Sequence, residues 1–186
     1  KKYPGIMKIL KNTKRKKVGK GMGADIASRK TTGDFILMID QDNLLIQRDW
    51  LKKMAEILIQ NKKISCVQSL TLIPEKGSIM DKYLGAIGIE DPFAIPYSIK
   101  SQVILHPEKF KYDKEKKYYV YNISNEDFYY GGDNGFLIRS KDFFENNGYT
   151  QDVDNFYRMG KNKKEHNVAI PDELLVFHKT SSEFWD

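Results

Sequence analysis

Two aspartates that are one residue apart, Asp40 and Asp42, are the best placed residues of this sequence for chemistry. They follow the apolar run Phe35 to Ile39, which predicts a central parallel strand that is covered on both faces. In open α/β sheets, ligands bind beyond the carboxyl ends of the strands. Carboxylates at that edge can hold a hard cation such as Mg²⁺ or Mn²⁺, which would neutralise the diphosphate of a substrate. The alternative is a solvated turn that ends the strand.

His178 is a second candidate, because it ends the apolar run Leu174 to Phe177. A neutral imidazole binds ions such as Mn²⁺, whereas Mg²⁺ prefers oxygen ligands. The alternative is a histidine that is only hydrogen-bonded at the end of its strand. His106 and His166 have no comparable context.

The order of apolar patterns predicts the elements that would position these residues. Strand-like and helix-like patterns alternate over residues 1–73, as in doubly wound sheets: strands at 6–10, 34–40 and 64–73, with helices at 24–30 and 51–59. The second helix has an apolar stripe and Asp49 as its expected cap. The later predictions are helices at 80–87, from Ser140 and at 154–159, and strands at 118–123, 136–139, 167–170 and 174–178. The expected fold is an α/β domain with a mostly parallel sheet flanked by helices.

Length, charge and cysteine content restrict the class of protein further. A chain of 186 residues predicts a single domain. The net charge of +6 favours anionic partners, although the lysine-rich stretch between Lys8 and Lys20 is typical of a solvated loop. Cys66 is the only cysteine, which excludes an internal disulfide and fits a reducing compartment. No apolar run approaches the ~18 residues of a membrane-spanning helix, and no signal peptide is expected at Lys1.

The segment from Gly21 to Asp42, GMGADIASRKTTGDFILMIDQD, resembles the block of glycosyltransferase family 2 that leads into its D-x-D motif. The spacing of Asp25, Gly33 and Asp40 matches that block. Family members usually carry Ala-Arg-Asn where this chain has Gly23-Ala24-Asp25. The resemblance implies a GT-A type, Rossmann-like fold and an inverting sugar transfer.

A second block, from Gly132 to Met159, resembles the family's stretch of N-G-F, then R, a Gly-Tyr turn, and E-D-x-D with a following arginine. The matching residues are Asn134-Gly135-Phe136, Arg139, Gly148-Tyr149, Asp152-Val153-Asp154 and Arg158. Gln151 replaces the usual glutamate, which removes a negative charge that would raise the pKa of a neighbouring carboxyl.

The resemblance also implies roles for individual residues. Asp152 would be the catalytic base, although an acid at a helix start is also favoured by the helix dipole alone. The expected groups are donor-binding Gly21, Asp25, Asp40, Asp42 and Arg158; metal-binding Asp40, Asp42 and His178; and acceptor-binding Asn134 and Gly135.

Three parts of the single domain follow from these roles. Residues 1–73 would form the nucleotide-sugar and metal half, 74–130 an excursion on the acceptor side, and 131–186 the half that carries the base. The family's N-terminal strand and its D-D-x-S-x-D segment, which hold the nucleobase, do not precede Lys1. The expectation is therefore either incomplete donor binding or nucleobase contacts that are supplied from elsewhere.

The predicted function is therefore a metal-dependent glycosyltransferase of hexosyltransferase type that uses Mg²⁺ or Mn²⁺. Its expected partners are a nucleotide-diphosphate sugar and a glycan or lipid-linked acceptor, without nucleic acid. The predicted location is the cytoplasm, with peripheral contact at the cytoplasmic face of the membrane as a hypothesis for a lipid-linked acceptor.

Two alternatives belong to other classes of protein. Gly19 to Ala24 satisfies G-x-G-x-x-[GA], so a Rossmann dinucleotide site in an oxidoreductase is one alternative, although eight residues separate Leu10 from Gly19. The other is a non-enzymatic surface for single-stranded nucleic acid, in which bases would stack on tyrosines beside the lysines: Tyr112, Tyr118, Tyr119 and Tyr121.

Overall fold

The computed structural model describes residues 20–40, 43–72, 79, 82–83, 107–123, 135–146, 148, 159 and 165–178. Several expected features lie outside this part of the chain. They are the strand at 6–10, most of the helices at 80–87 and 154–159, and the site residues Asp42, Asn134, Asp152 and Arg158.

The described residues form helices and strands. The helices are α1 (Lys20–Ser28), α2 (Trp50–Gln60) and α3 (Ser140–Glu145), with a 3₁₀ turn at Pro107–Lys109. The strands are β1 (Phe35–Met38), β2 (Asn43–Leu45), β3 (Ile64–Gln68), β4 (Leu70–Leu72), β5 (Phe110–Asp113), β6 (Tyr118–Ile123), β7 (Phe136–Arg139), β8 (His166–Pro171) and β9 (Leu175–His178). No helix within these ranges is long and apolar enough to cross a membrane.

Six strands form the larger sheet, in the order β1-β7-β3-β8-β6-β5. Only β3 and β8 pair in parallel, and the other four neighbouring pairs are antiparallel. The prediction of a mostly parallel sheet with β1 at its centre is therefore wrong for the described strands. β7 lies between β1 and β3 and is antiparallel to both, and a continuous apolar run does not reveal the direction of its neighbours.

Alternating side chains of the sheet feed two separate cores, one on each face. In β7, Phe136 and Ile138 belong to one core and Leu137 belongs to the other, as the two-residue period of a strand requires. Phe143 of α3 packs into the first core, and α2 packs into the second. The sheet is thus covered by helices on both faces, which confirms the α/β class.

In helix α2, only some of the residues of the predicted apolar stripe are buried. Trp50, Met54 and Leu58 are buried, whereas Leu51 and Ile59 are 48% and 56% exposed. The buried face therefore follows a strict spacing of four residues. Asp49 precedes the helix as expected, but its side chain makes no capping hydrogen bond.

Arg139, which the sequence resemblance assigns to an arginine of the family motif, has a structural role at the end of α2. Its Nε donates to the Ile64 carbonyl at 3.1 Å, and its Nη2 donates to the carbonyls of Asn61, at 3.2 Å, and Leu58. The last carbonyls of a helix have no partner within the helix, and a cation near them is favourable. Arg139 thereby ties α2 to the beginning of β3.

We expect Arg139→Met to lower the free energy of unfolding by about 2 kcal/mol, because it leaves these carbonyls without their charged donor. Urea denaturation measures the change. Arg48→Met is the matched control, since Arg48 is exposed, and it should stay within about 0.5 kcal/mol of the parent. Equal stability of both variants would contradict this role.

Candidate active site at the carboxyl edge of the sheet

The candidate site lies where three strands of the larger sheet end together. β1, β3 and β8 run in the same direction, because β1 and β3 are both antiparallel to β7 and β3 is parallel to β8. Asp40 follows the end of β1 and is half-buried. The predicted position of Asp40 at the carboxyl edge is therefore correct, with β1 at the end of the described sheet instead of its centre.

Asp40 is joined by hydrogen bonds to the residue that follows Asp42. The Asp40 carbonyl accepts from the backbone N–H of Asn43 at 3.3 Å and from its side-chain Nδ2 at 3.1 Å. β2 begins at Asn43. These two bonds join Asp40, which follows β1 and Ile39, to the first residue of β2, on either side of Gln41 and Asp42 in the sequence.

His178 is brought to this connection by a second, smaller sheet. That sheet has the order β2-β9-β4, and its antiparallel pair β2 and β9 aligns His178 with Asn43. Facing residues of such a pair have Cα atoms about 5 Å apart, and neighbouring Cα atoms along the chain are about 3.8 Å apart. The Cα atoms of His178 and Asn43 therefore lie about 5 Å apart, and Asp42 directly precedes Asn43 in the sequence.

The chemistry of this donor set fits a divalent cation. Two carboxylates and an imidazole suit Mn²⁺, and the carboxylates alone suit Mg²⁺. Within the described residues, no group of three or more His, Cys, Asp or Glu residues is arranged to hold a metal ion, and Asp42 is not among those residues. The metal-binding roles of Asp40, Asp42 and His178 stay predictions.

Gly135 fixes the junction between the two sheets. Its φ is +66°, and a Cβ atom there would lie 2.1 Å from Ser69 Oγ and 3.1 Å from Val176 Cγ2. Its carbonyl accepts from the backbone N–H of Ser69 at 3.0 Å and from Ser69 Oγ at 2.8 Å. Only glycine fits this combination of backbone angle and close approach. These contacts explain why glycine is required at position 135. The acceptor-binding role of Gly135 stays a prediction.

We expect Gly135→Ala to lower the free energy of unfolding by about 2 to 4 kcal/mol, through left-handed strain together with overpacking. Thermal or urea unfolding measures this loss. Gly23→Ala is the matched control, because Gly23 lies within α1 and an added Cβ meets no atom within 4 Å. That variant should gain roughly 0.5 to 1 kcal/mol, and a similar loss in both variants would refute the close contact.

Ser69 and Gln47 were not found by the sequence reasoning, and both join parts of the site. Ser69 is buried between β3 and β4 and bonds to Gly135 as described above. Gln47 Nε2 donates to the Glu173 carbonyl at 2.8 Å, which links the residues after β2 to those before β9. No pattern in the sequence marks either residue, because each acts on a partner more than 60 positions away.

Two expected donor-binding residues, Gly21 and Asp25, lie in α1. Gly21 is buried near the beginning of the helix. Asp25 Oδ2 accepts a hydrogen bond from Arg29 Nε at 2.8 Å, and this ion pair raises the pKa of the Arg29 guanidinium. The carboxylate of Asp25 also lies against Gly148, where an added Cβ would approach Asp25 Oδ1 to 2.5 Å. The donor-binding roles of Gly21 and Asp25 stay predictions.

Neither alternative function gains support from the described residues. The dinucleotide fingerprint needs its glycines in a turn before the helix, whereas Gly21 and Gly23 lie inside α1. Of the four tyrosines of the nucleic-acid hypothesis, Tyr118 and Tyr121 are buried. Tyr112 is exposed, but its hydroxyl donates to Asp172 Oδ2 at 2.7 Å, which raises its pKa to about 12. A continuous face of stacking tyrosines is therefore not formed.

Comparison with known proteins identifies the family. None of the curated proteins that were compared with the chain matches it. Residues 1–125, about two thirds of the chain, match the family described as Glycosyl transferase family 2. The matched range contains Asp40 and Asp42, and it ends before Gly135, Asp152 and His178. The chain belongs to glycosyl transferase family 2, a family of glycosyltransferases.

Proposed function

We propose that this protein transfers a sugar from a nucleotide-diphosphate donor to an acceptor, with inversion and with the help of a divalent cation. The single observation that carries the proposal is the alignment of His178 with Asn43, next to the Asp40-Gln41-Asp42 sequence at the end of β1. Family membership gives the general activity. A GT-A type arrangement is part of the proposal, supported by helices on both faces of the sheet and by an acid at its carboxyl edge.

Asp40, Asp42 and His178 would hold Mn²⁺ or Mg²⁺ beside the diphosphate of the donor. When bound, the cation supplies positive charge that stabilises the departing diphosphate. Asp40 would also face the ribose, with Gly21, Asp25 and Arg158 at the donor as the family resemblance implies. The half-buried position of Asp40 supports this arrangement, because partial exclusion of water strengthens charge interactions.

Asp152 would act as the general base of the transfer. The acceptor oxygen forms a bond to the anomeric carbon from the face opposite the donor, and its proton passes to the Asp152 carboxylate. The bond between the anomeric carbon and the diphosphate oxygen breaks, and the nucleoside diphosphate leaves with the electron pair. Attack from the opposite face inverts the configuration at that carbon.

The acceptor would be bound by Asn134 and Gly135 and by the excursion from residue 74 to 130. Within that excursion, β5 and β6 extend the larger sheet, and loops at the carboxyl edge commonly determine specificity. A glycan or a lipid-linked acceptor is proposed, with the protein in the cytoplasm or at the cytoplasmic face of the membrane. Flotation with anionic liposomes tests the proposed membrane contact. The absence of binding at low salt would contradict that part of the proposal.

Donor turnover tests the proposed function directly. The purified chain is incubated with a panel of nucleotide-diphosphate sugars, Mn²⁺ and a panel of glycan and lipid-linked acceptors, and released nucleoside diphosphate is measured. We expect release with one donor, and loss of that release on removal of the cation by EDTA with recovery on adding Mn²⁺. Release that is unaffected by EDTA would contradict the metal-dependent mechanism, and no release from any donor would contradict the proposed activity.

A further inference from the structure

Three consecutive apolar residues, Leu44, Leu45 and Ile46, lie on the protein surface directly after Asn43. Their exposed fractions are 62%, 40% and 54%. A single exposed leucine is ordinary, but a contiguous exposed apolar run indicates a binding surface. Leu44 and Leu45 are successive residues of β2, so their side chains point to opposite faces of the strand. Since both are exposed, neither side chain serves to fill a core.

The exposed apolar surface continues into the first turn of α2. Leu51 lies in that turn and is exposed. The chain folds back between Ile46 and Leu51, because the Trp50 N–H donates to the Gln47 carbonyl at 3.2 Å. We call the resulting set of exposed side chains the apolar edge: Leu44, Leu45, Ile46 and Leu51.

Cations border the apolar edge. Arg48 lies in the turn and is exposed, and Lys52 directly follows Leu51. The ion pair of Lys52 with Glu56, at 3.8 Å, is exposed and therefore weak. Residues 43–63 carry five basic and two acidic side chains, a net charge of +3. Apolar side chains next to cations suit an anionic bilayer, where the former enter the boundary between head groups and acyl chains and the latter meet lipid phosphates.

A bilayer fits the apolar edge better than a second protein chain does. Four side chains expose much less surface than the about 800 Å² per partner that a stable protein interface buries. Among the described strands, β2 lies at the edge of the smaller sheet. A protein partner would have to cover both faces of this edge strand, whereas lipid surrounds an inserted segment on all sides.

We infer that the apolar edge inserts into the surface of an anionic membrane, with Arg48 and Lys52 on lipid phosphates. This inference rests on the proposed function and deepens it, because it names the acceptor as a lipid-linked one. Leu44 directly follows Asn43, which bonds to the Asp40 carbonyl and is aligned with His178. The bilayer would therefore lie beside the candidate cation site, where the reacting group of a lipid-linked acceptor is held.

Flotation with vesicles of phosphatidylcholine and phosphatidylglycerol in equal parts tests the inference. We expect the parent to float at low salt. The double variant Leu44→Ser with Ile46→Ser should bind at least about tenfold more weakly, because it removes inserted apolar groups. Met22→Ser with Ile26→Ser is the matched control and should float like the parent. These two residues of α1 are 50% and 45% exposed, and α1 packs against the other core from α2.

A second pair of variants tests the contribution of charge and does not alter the apolar edge. Arg48→Gln with Lys52→Gln should weaken binding about fivefold for each lost cation. The difference from the parent should disappear on vesicles of phosphatidylcholine alone. Lys111→Gln with Lys114→Gln removes the same charge from two exposed lysines at the other end of the larger sheet, and this control should keep the binding of the parent.

Three results would overturn the inference. They are a parent that does not float, a Leu44→Ser and Ile46→Ser variant that floats like the parent, and a dimer of the parent, seen by sedimentation, that this variant dissociates. Failure of the proposed function is a separate result. A parent that floats as expected but transfers no sugar contradicts the function and leaves the membrane contact in place, whereas sugar transfer to a soluble acceptor without flotation contradicts only the membrane contact.

Discussion

Replacing Asp42 by alanine is expected to abolish the Mn²⁺-dependent binding of nucleoside diphosphates and to lower sugar transfer by at least about a hundredfold. The carboxylate of Asp42 would be a direct ligand of the cation, and loss of that ligand leaves the diphosphate charge without its counter-ion. A thermal-shift assay measures the effect, because a ligand at about 100 times its dissociation constant adds roughly 2.7 kcal/mol to stability.

Asp34→Ala is the matched control for Asp42→Ala. Asp34 is an exposed acid that precedes β1, whereas Asp42 follows it, so the control removes a carboxylate from the opposite end of the same strand. It should retain the full Mn²⁺-dependent shift. An equal shift in the parent and in Asp42→Ala would remove Asp42 from the metal site.

Asp152→Asn is expected to lower turnover by about 10² to 10⁴-fold while sparing donor binding. The amide has nearly the shape of the carboxylate, but it cannot accept the proton of the acceptor hydroxyl. Steady-state kinetics and nucleotide binding, measured on the same preparation, separate the two effects. The decrease of kcat at acidic pH that reports protonation of the base should also disappear in this variant.

Asp34→Asn provides the corresponding control for the amide substitution, with unchanged turnover expected. If Asp152→Asn keeps the turnover of the parent, Asp152 is not the base. The sequence resemblance places Gln151 at the position of a family glutamate, so the outcome also tells whether a base works here without that neighbouring charge.

Local patterns predicted the elements whose formation depends mainly on their own residues. The bounds of β6, Tyr118–Ile123, and β7, Phe136–Arg139, agree with the predicted strands. The predicted helix over residues 51–59 corresponds to α2, Trp50–Gln60. In each case a two-residue or four-residue apolar period is enough to identify the element.

Sheet order and strand direction could not be predicted in this way. An apolar run has the same pattern whether its neighbours are parallel or antiparallel. The sequences of β1 and β3 therefore do not indicate that β7 lies between them. The predicted strand from 64 to 73 also divides at Ser69 into β3 and β4, which belong to different sheets. That division depends on contacts with Gly135 and Leu174, which are distant in sequence.

The candidate site was predictable in part for the same reason. The position of Asp40 follows from the strand that precedes it, whereas the proximity of His178 depends on the register between β2 and β9. The contact of Asp25 with Gly148 joins residues 123 positions apart. The sequence matched both residues to the family blocks, but only the folded chain brings them into contact.

The most direct test of the central claim is electron paramagnetic resonance of Mn²⁺ titrated with the protein and a nucleoside diphosphate. Mn²⁺ mixed with the nucleotide alone is the reference. The parent protein should lower the signal of free Mn²⁺ below this reference by an amount that corresponds to about one bound ion per chain, as expected of a single cation site. The double variant Asp40→Asn with Asp42→Asn should leave the signal at the level of that reference. Equal Mn²⁺ binding by the parent and the double variant would contradict a cation site at the end of β1.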